Sequence, residues 1–600
     1  MQHMHHGRDR IHVYTHSIWL VNFLNFSSKI SGTQLFARIL ALPFPIRIAG
    51  FLASIALAIS TFFIVVHIVD ARFFVSIPEQ GGVLTEGEVG RPRLINPIFA
   101  KTEVDRDLVA LLYSGLMRPS GNELVPDLAE SFEVSEDGKT YTFTLRSDAT
   151  FHDGTPVTAA DIVFTVDHIK NKGLPTKSPL APNFVGVIAQ ATDARTVVFA
   201  LEQPYAAFTE SLTFGILPKH IWETVGTDDF DQTIFNLEPI GSGPYQLTRV
   251  IRDPQRGLAK EYVLSAFPGY VHGKPLISEF DLFFYGSEDE RINAYKNGEI
   301  GQLAGVQTSY ARDIASTGAP VLSAPMPRIF GIYLNEPKKT LFSNPVVREA
   351  LDSTIPREEI AAQVFSGYAN PEIGPFPGLA RPDGLPEDKH LLLAEAMLEK
   401  DGWVKNADGV YAKTNKKTKQ TEVLSFAISL PDIPELTASA QLIEAAWNRL
   451  GAKIELKTYD LGTFTSDILA SRNFDTVFFG QVTGRDPDPY PFWHSSQKTR
   501  GTNIAQYADK KVDARINDLS HTVDAAGRAI ILSEINTMIM NDRPALFTYS
   551  PGFVYVTDRA VKGITLPLMT TAAERFSGIE RWYTSSERVW KFLAKDKAVN

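Results

Sequence analysis

Residues 48–69, IAGFLASIALAISTFFIVVHIV, form a run of 22 residues without a formal charge. At about 1.5 Å of rise per residue, a helix of that length crosses a hydrocarbon core of roughly 30 Å. A chain carrying it must place one segment in lipid and fold the remainder in water. Arg38 and Arg47 precede the run, while Asp70 and Arg72 follow it. The positive-inside rule then puts residues 1–47 in the cytoplasm and the large C-terminal body outside. A cleaved signal peptide competes with this reading. Its apolar region would be shorter, about 7–15 residues, and Val69-Asp70-Ala71 is a poor small-x-small cleavage site. An uncleaved single-pass signal anchor over 48–70 is expected.

The flanks differ in charge. Residues 1–47 hold Arg8, Arg10, Lys29, Arg38 and Arg47 against Asp9 alone, so the body is more acidic than the whole chain's net charge of −10. An acidic body argues against a nucleic-acid partner, which requires a basic face. The chain has no cysteine. Disulfides, thiolate metal sites and lipid attachment at an N-terminal cysteine are all excluded, so any anchor is the polypeptide itself. Residues 17–26, SIWLVNFLNF, are too short to span and read as an interfacial segment. His3, His5, His6, His12 and His16 are read as part of a solvated tail rather than a metal site.

At 600 residues the chain exceeds one ordinary core, so two or three lobes are expected. Residues 78–82 (PEQGG) read as a linker. Strand periodicity marks 141–145, 197–201, 453–459 and 474–479. Helix signals mark 158–171, where Thr158 and Asp161 have capping-box spacing, and the start at Asn344-Pro345. Further helices are predicted over 391–400, 435–450 and 524–541. Strands and helices alternate throughout, so the body is α/β or mixed α+β.

Enzyme signatures are weak. The sequence has no G-x-S-x-G, H-E-x-x-H or paired-cysteine spacing. Gly138-Lys139-Thr140 resembles the end of a phosphate loop, but Glu133 stands where the first glycine belongs, and a hairpin turn fits better. Gly241-Ser242-Gly243 also reads as a turn. His152-Asp153 has the composition of a catalytic pair, yet lies in Asp-Gly turn chemistry. No catalytic residue, metal site or cofactor is expected.

Residues 124–171 carry something more specific. The run LVPDLAESFEVSEDGKTYTFTLRSDATFHDGTPVTAADIVFTVDHIK closely resembles the signature of the family-5 extracellular solute-binding proteins, the oligopeptide, dipeptide and nickel receptors of ABC importers. Gly241-Ser242-Gly243-Pro244-Tyr245, residues 335–360, 391–403, 486–493 and 528–544 resemble further family segments in the same order. Pro356 stands where the family usually has an aspartate cap. The resemblance covers about residues 80–575. It implies a type II periplasmic-binding-protein fold with two hinged lobes and an inserted domain. The expected division is lobe I over 78–122, 238–335 and 546–600, an insert over 123–237, and lobe II over 336–545. It also implies a peptide or other small solute as ligand and importer permease subunits as partners. A sensory protein keeping the same fold, or a receptor for a non-peptide ligand, is the alternative.

The resemblance places the ligand-facing strand at 477–483. Candidate ligand-binding residues are Phe479, Gly480, Gln481, Val482, Arg485, Asp486, Asp488, Tyr490 and Trp493. In peptide binders of this family an aspartate just past that strand holds the ligand's ammonium. Here the equivalent position is Arg485 or Thr483, depending on which Asp-Pro pair is aligned. Asp486 and Asp488 are the possible substitutes, with a Pro-rich turn as the plainer role. An arginine at the site would suit a carboxylate better than an ammonium. Phe492 is expected in the core.

Overall fold

A computed structural model describes residues 43–499, 501–522 and 524–591. The tail, with its expected interfacial segment and histidines, lies outside them. The described residues fall into two compact units, one of 43–77 and 586–591, the other within 78–585.

The first unit holds a helix at Phe44–Phe73, longer at both ends than the expected span. It begins just after Pro43. Pro45 sits in the first turn, where its missing N–H has no helical partner to lose. Its 24-residue stretch Phe44–His67 is long and apolar enough to cross a bilayer. The helix passes directly into the strand Phe74–Glu79, which pairs with Ser585–Trp590. Trp590 packs on Phe74, with ring centroids 4.3 Å apart. The segment 78–82 is therefore part strand, part glycine turn, rather than a plain linker.

The second unit is built on one long mixed sheet. In spatial order its strands are Lys453–Tyr459, Ser425–Pro431, Thr476–Val482, Arg328–Leu334, Ala545–Val556, Gln302–Ala304, Val83–Val89, Glu279–Tyr285, Ala259–Ala266 and Tyr245–Arg252. Ala545–Val556 joins the halves. Residues 545–549 pair with Arg328–Leu334, and 552–556 pair with Val321–Pro325. The chain thus passes from one half to the other at 325–328 and back at 549–552, on adjacent antiparallel strands. Strand Arg328–Leu334, expected in lobe I, pairs along its length with Thr476–Val482 and lies in the second half. The expected break at 545/546 falls inside strand Ala545–Val556.

In the second half the period-two pattern splits the core. Ile332, Leu334, Phe478 and Leu546 pack on one side of the sheet under Pro345–Ser353, Glu387–Lys400 and Pro434–Leu450. Ile329, Tyr333, Val477 and Phe547 pack on the other, under Lys510–His521 and Ala525–Asp542. Local signals account for these helix ends. Asn344 accepts from Val346 N, and Gly451 closes its helix at φ 103°. Asp524 accepts from Gly527 N. The strand predicted at 474–479 runs instead at Thr476–Val482, and Asp475 just before it accepts from Ala427 N through its carboxylate.

Residues 129–201 add a separate four-stranded antiparallel sheet in the order Ala129–Val134, Thr140–Leu145, Thr196–Leu201, Val187–Ala191. The helix Ala159–Lys170 packs on it, its start fixed by Thr158, whose N–H and hydroxyl both donate to Asp161. Gly138 sits in the hairpin between the first two of these strands. His152 is bolted to the Gly241–Gly243 turn: its Nδ1 accepts from Gly241 N at 3.2 Å, and its Nε2 faces Gly243 O at 3.3 Å. Burial lowers its pKa to about 4, so the ring is neutral. Asp153 turns away to His220, 2.8 Å distant. The two neighbours do not form a catalytic pair.

Candidate functional site

Strand Thr476–Val482 is held on one edge by Arg328–Leu334 along its full length. On the other edge only Thr476 and Val477 pair, with Ile428 and Ser429. Among the described residues no strand takes the second edge of 478–482. That edge presents backbone groups that an added extended chain would satisfy.

The predicted site residues separate along this segment. Phe479 packs on Tyr333 at 4.6 Å. Gly480 lies opposite Phe330, and a Cβ there would meet the Phe330 ring at 2.6 Å. Gln481 is buried; its Oε1 accepts from the Tyr333 hydroxyl at 2.9 Å, while its amide nitrogen has no partner. Val482 is exposed. Trp493 is 1% exposed and packs among Tyr333, Tyr507 and Phe547. Tyr490 stacks on His494 at 4.6 Å and is partly exposed. Phe492 packs against the same core, as expected.

Neither aspartate is free. Asp486 pairs with Arg528 at 2.7 Å. Asp488 accepts from Tyr490 N at 2.9 Å, an Asx turn within its own segment. Arg485, expected to suit an anion, is paired within the chain. Its Nη1 donates to Glu210 at 2.9 Å, and its Nη2 donates to Glu574 at 2.8 Å and to Leu568 O at 2.8 Å. Its side chain is 3% exposed. The arginine belongs to the second half; both carboxylates belong to chain on the other side of the crossings.

Those carboxylates line a cavity of about 290 Å³. Its other polar walls include Tyr113, Arg118, Asp127 and Tyr270. The volume is at the small end of the roughly 300–1,000 Å³ usual for ligand sites. Asp127 is held by His272 at 2.8 Å, and Arg118 by Glu580 at 3.2 Å. Tyr113 is buried and its hydroxyl has no partner. Burial pushes the Glu210 carboxyl up to about 7, against the pull of Arg485 and with the help of Glu574 and Asp486. A second cavity of about 420 Å³ lies between Tyr141 and Thr209 on one side and Asp486, Arg528 and Leu532 on the other.

Tyr113, Glu210 and Glu574 were not readable as site residues. They come from three segments about 100 and more than 350 positions apart, and no spacing rule links them.

The family profile described as bacterial extracellular solute-binding proteins, family 5 Middle, matches residues 123–503. The oligopeptide-binding protein AppA of Bacillus subtilis (strain 168) is 25% identical over 489 residues, covering 79% of this chain and 87% of that protein. The dipeptide-binding protein of Escherichia coli (strain K12) is 24% identical over 523 residues, covering 81% of this chain and 92% of that protein. The structure of AppA from Bacillus subtilis in complex with a nonapeptide superposes with a TM-score of 0.61 at 24% identity, covering 85% of this chain and 100% of that one. The mixed α/β fold is thus that of the periplasmic binding proteins.

Proposed function

Because this chain belongs to the family-5 bacterial extracellular solute-binding proteins, we propose that it is the anchored substrate-binding component of an ABC importer and captures short peptides between its halves. One observation carries the reading. The unpaired edge of residues 478–482 leads within three residues to Arg485, which is bonded to two carboxylates of the cavity in the opposite half. An extended peptide added to that edge gains backbone hydrogen bonds that do not depend on its side chains. The cavity beyond then receives one end of it.

In this reading lobe I comprises 78–122, about 238–326 and 551–585, the insert 123–237, and lobe II about 327–549. The crossings at 325–328 and 549–552 are the hinge, and closure over the ligand is the signal a permease reads. Binding and release require no covalent chemistry, so the protein is not an enzyme. Phe44–Phe73 is a single uncleaved membrane span, which holds the body at the outer face beside the permease. Anchoring suits a receptor that lacks the cysteine needed for a lipid tether.

Native mass spectrometry of the full chain released from detergent tests the ligand class. Heterogeneous short peptides leaving with the protein are the expected result. A single sugar or metal chelate would sink the peptide reading. The intact mass from the same spectrum tests the anchor: loss of residues up to about 70 would mean a cleaved signal.

A further inference from the structure

The helix Phe44–Phe73 has 30 residues, which at 1.5 Å each make about 45 Å. That length matches a bilayer with its headgroup layers, about 40–45 Å, rather than the hydrocarbon core alone. An upright helix of this length therefore ends among the headgroups. Three rings meet at that end. Trp590, closing the C-terminal strand, stands 4.3 Å from Phe74 and 6.3 Å from Phe73 between centroids. Their mutual packing does not bury them: Phe73 remains 46% exposed and Trp590 43%. The other five tryptophans among the described residues are at most 1% exposed, so the fold leaves this indole outside where it hides the rest. An apolar ring with one N–H donor suits the boundary between lipid and water better than either phase. Cations accompany the rings. Arg588 lies 5.4 Å from the Phe74 ring, and Arg72 and Lys591 flank the aromatics in the chain, against Glu587. Long basic side chains beside aromatic rings are the usual composition of a segment at the level of lipid phosphates.

We propose that the ribbon formed by Phe74–Glu79 and Ser585–Trp590 rests in the phospholipid headgroup layer, with Phe73, Phe74 and Trp590 as its lipid contact. The inference rests on the uncleaved span proposed above and deepens it. The C-terminal strand is then a second attachment of the chain to the bilayer, made through side chains rather than by crossing. The occupant of the exposed rings is lipid because they continue the surface of an apolar helix without a break in the chain. Backbone pairing between the two strands ties the end of the chain to the end of the span. A single flexible link at residue 74 would leave the helix free to swivel. Two strands seated at the surface instead fix the point at which the chain leaves the membrane.

The test uses the full chain in vesicles of phosphatidylcholine and phosphatidylglycerol, with Trp19→Phe to remove the tail indole. The emission lost on adding Trp590→Phe to that protein is the signal of Trp590. Phospholipid carrying a nitroxide at the headgroup or high on the acyl chain should remove most of that signal. A nitroxide near the chain end should remove severalfold less, and so should aqueous acrylamide compared with its effect on a free indole. A second measurement leaves Trp590 in place. The chain has no cysteine, so Val75→Cys takes a single nitroxide at an exposed position of the ribbon. Its ratio of collisions with oxygen to collisions with a water-soluble nickel chelate should lie severalfold above that of the same label free in water. Quenching of Trp590 by acrylamide but not by labelled lipid, with a water-like ratio at residue 75, overturns the inference. Shielding from both quenchers also overturns it, since a second copy of the chain would then cover the rings. The intact mass of the reconstituted protein separates the two readings. A full-length chain with either of those results leaves the span standing, whereas loss of residues up to about 70 overturns both.

Discussion

Two arginines sit between carboxylates in this protein, and their settings are opposite. Arg575 is fully buried within one half. Its Nε meets Glu86 at 3.1 Å, its Nη1 meets Asp107 at 3.0 Å, and its Nη2 meets Glu88 at 3.1 Å. The Tyr555 hydroxyl completes the group by donating to Glu86 at 2.7 Å. Every member belongs to strand Val83–Val89, helix Glu103–Leu112 or the C-terminal return, so nothing in the cluster needs to move. Arg485 makes nearly the same chemistry across the junction of the halves, with partners that still reach a cavity. Geometry alone does not separate a rivet from a contact that can open. What separates them is whether the partners share one half and whether water can replace the arginine. The carboxylates Glu86, Glu88 and Asp107 also lie close enough together to hold a cation. Arg575 already supplies the positive charge there.

The sharpest way to break the comparison is Arg575→Met. Three carboxylates would remain buried without their cation. Burial and Asp107 already hold the Glu88 carboxyl well above its usual range. Removing one partner of a buried ionic group costs about 3–5 kcal/mol, because the remaining charge is left uncompensated. Thermal unfolding of the detergent-solubilised chain should show a large fall in melting temperature. A fall no larger than that of Arg485→Met would mean the two clusters are energetically alike. For Arg485→Met, Glu210 and Glu574 are partly exposed and can rehydrate, so a smaller loss of about 1–2 kcal/mol is expected. That variant should also widen the molecule in small-angle scattering, which Arg575→Met should not do while folded.

Between these two in expected effect on shape is Gly552→Ala. Gly552 lies in the returning crossing, where its N–H donates to Tyr368 O at 2.7 Å. A Cβ at this position would meet that same carbonyl at 2.6 Å and the Ser323 hydroxyl at 2.8 Å. The backbone oxygen cannot give way like a flexible side chain. Overpacking of this kind costs about 1–3 kcal/mol. If the crossing is a hinge, the variant changes the scattering profile and ligand affinity together. A lower melting temperature with unaltered affinity would make Gly552 a packing residue only.

The comparison also explains what the sequence could and could not disclose. Strand Lys453–Tyr459 was read at its correct limits, because its pattern is local and a glycine stops the helix before it. The Thr158–Asp161 cap was legible for the same reason. The resemblance over 124–171 disclosed the fold. Strand Arg328–Leu334 follows strand Val321–Pro325 after only two residues, and Pro325 and Pro327 mark a break there without disclosing the change of strand partner. The ion pairs of Arg485 were not legible. Its partners lie 275 and 89 residues away, and charge pairing at that range leaves no local trace. Trp493 was ambiguous for a related reason, since an aromatic beside a binding segment fits a core and a pocket equally well.

The smallest expected effect is the most specific to the Arg485 cluster. The groups facing Glu210 are Arg485, Glu574, Asp486 and Tyr205. Desolvation raises its carboxyl from an ordinary 4.5 to about 7, and Arg485 offsets this only in part. The folded protein therefore binds a proton at Glu210 that the unfolded chain has released. Stability from that proton is complete below pH 4.5 and is lost as pH rises through about 7. Glu210→Gln mimics the protonated form at every pH. The melting temperature of the wild type relative to Glu210→Gln should fall as pH rises from 4.5 to 7, then level off. The Arg575 cluster has no open side, so Arg575→Met should leave this difference in place when added to both proteins. A relative melting temperature that rises over the same interval would mean that Arg485 outweighs burial at Glu210. The carboxylate would then be a permanent anion, and the bridge across the halves would resemble the sealed cluster more than its position between them indicates.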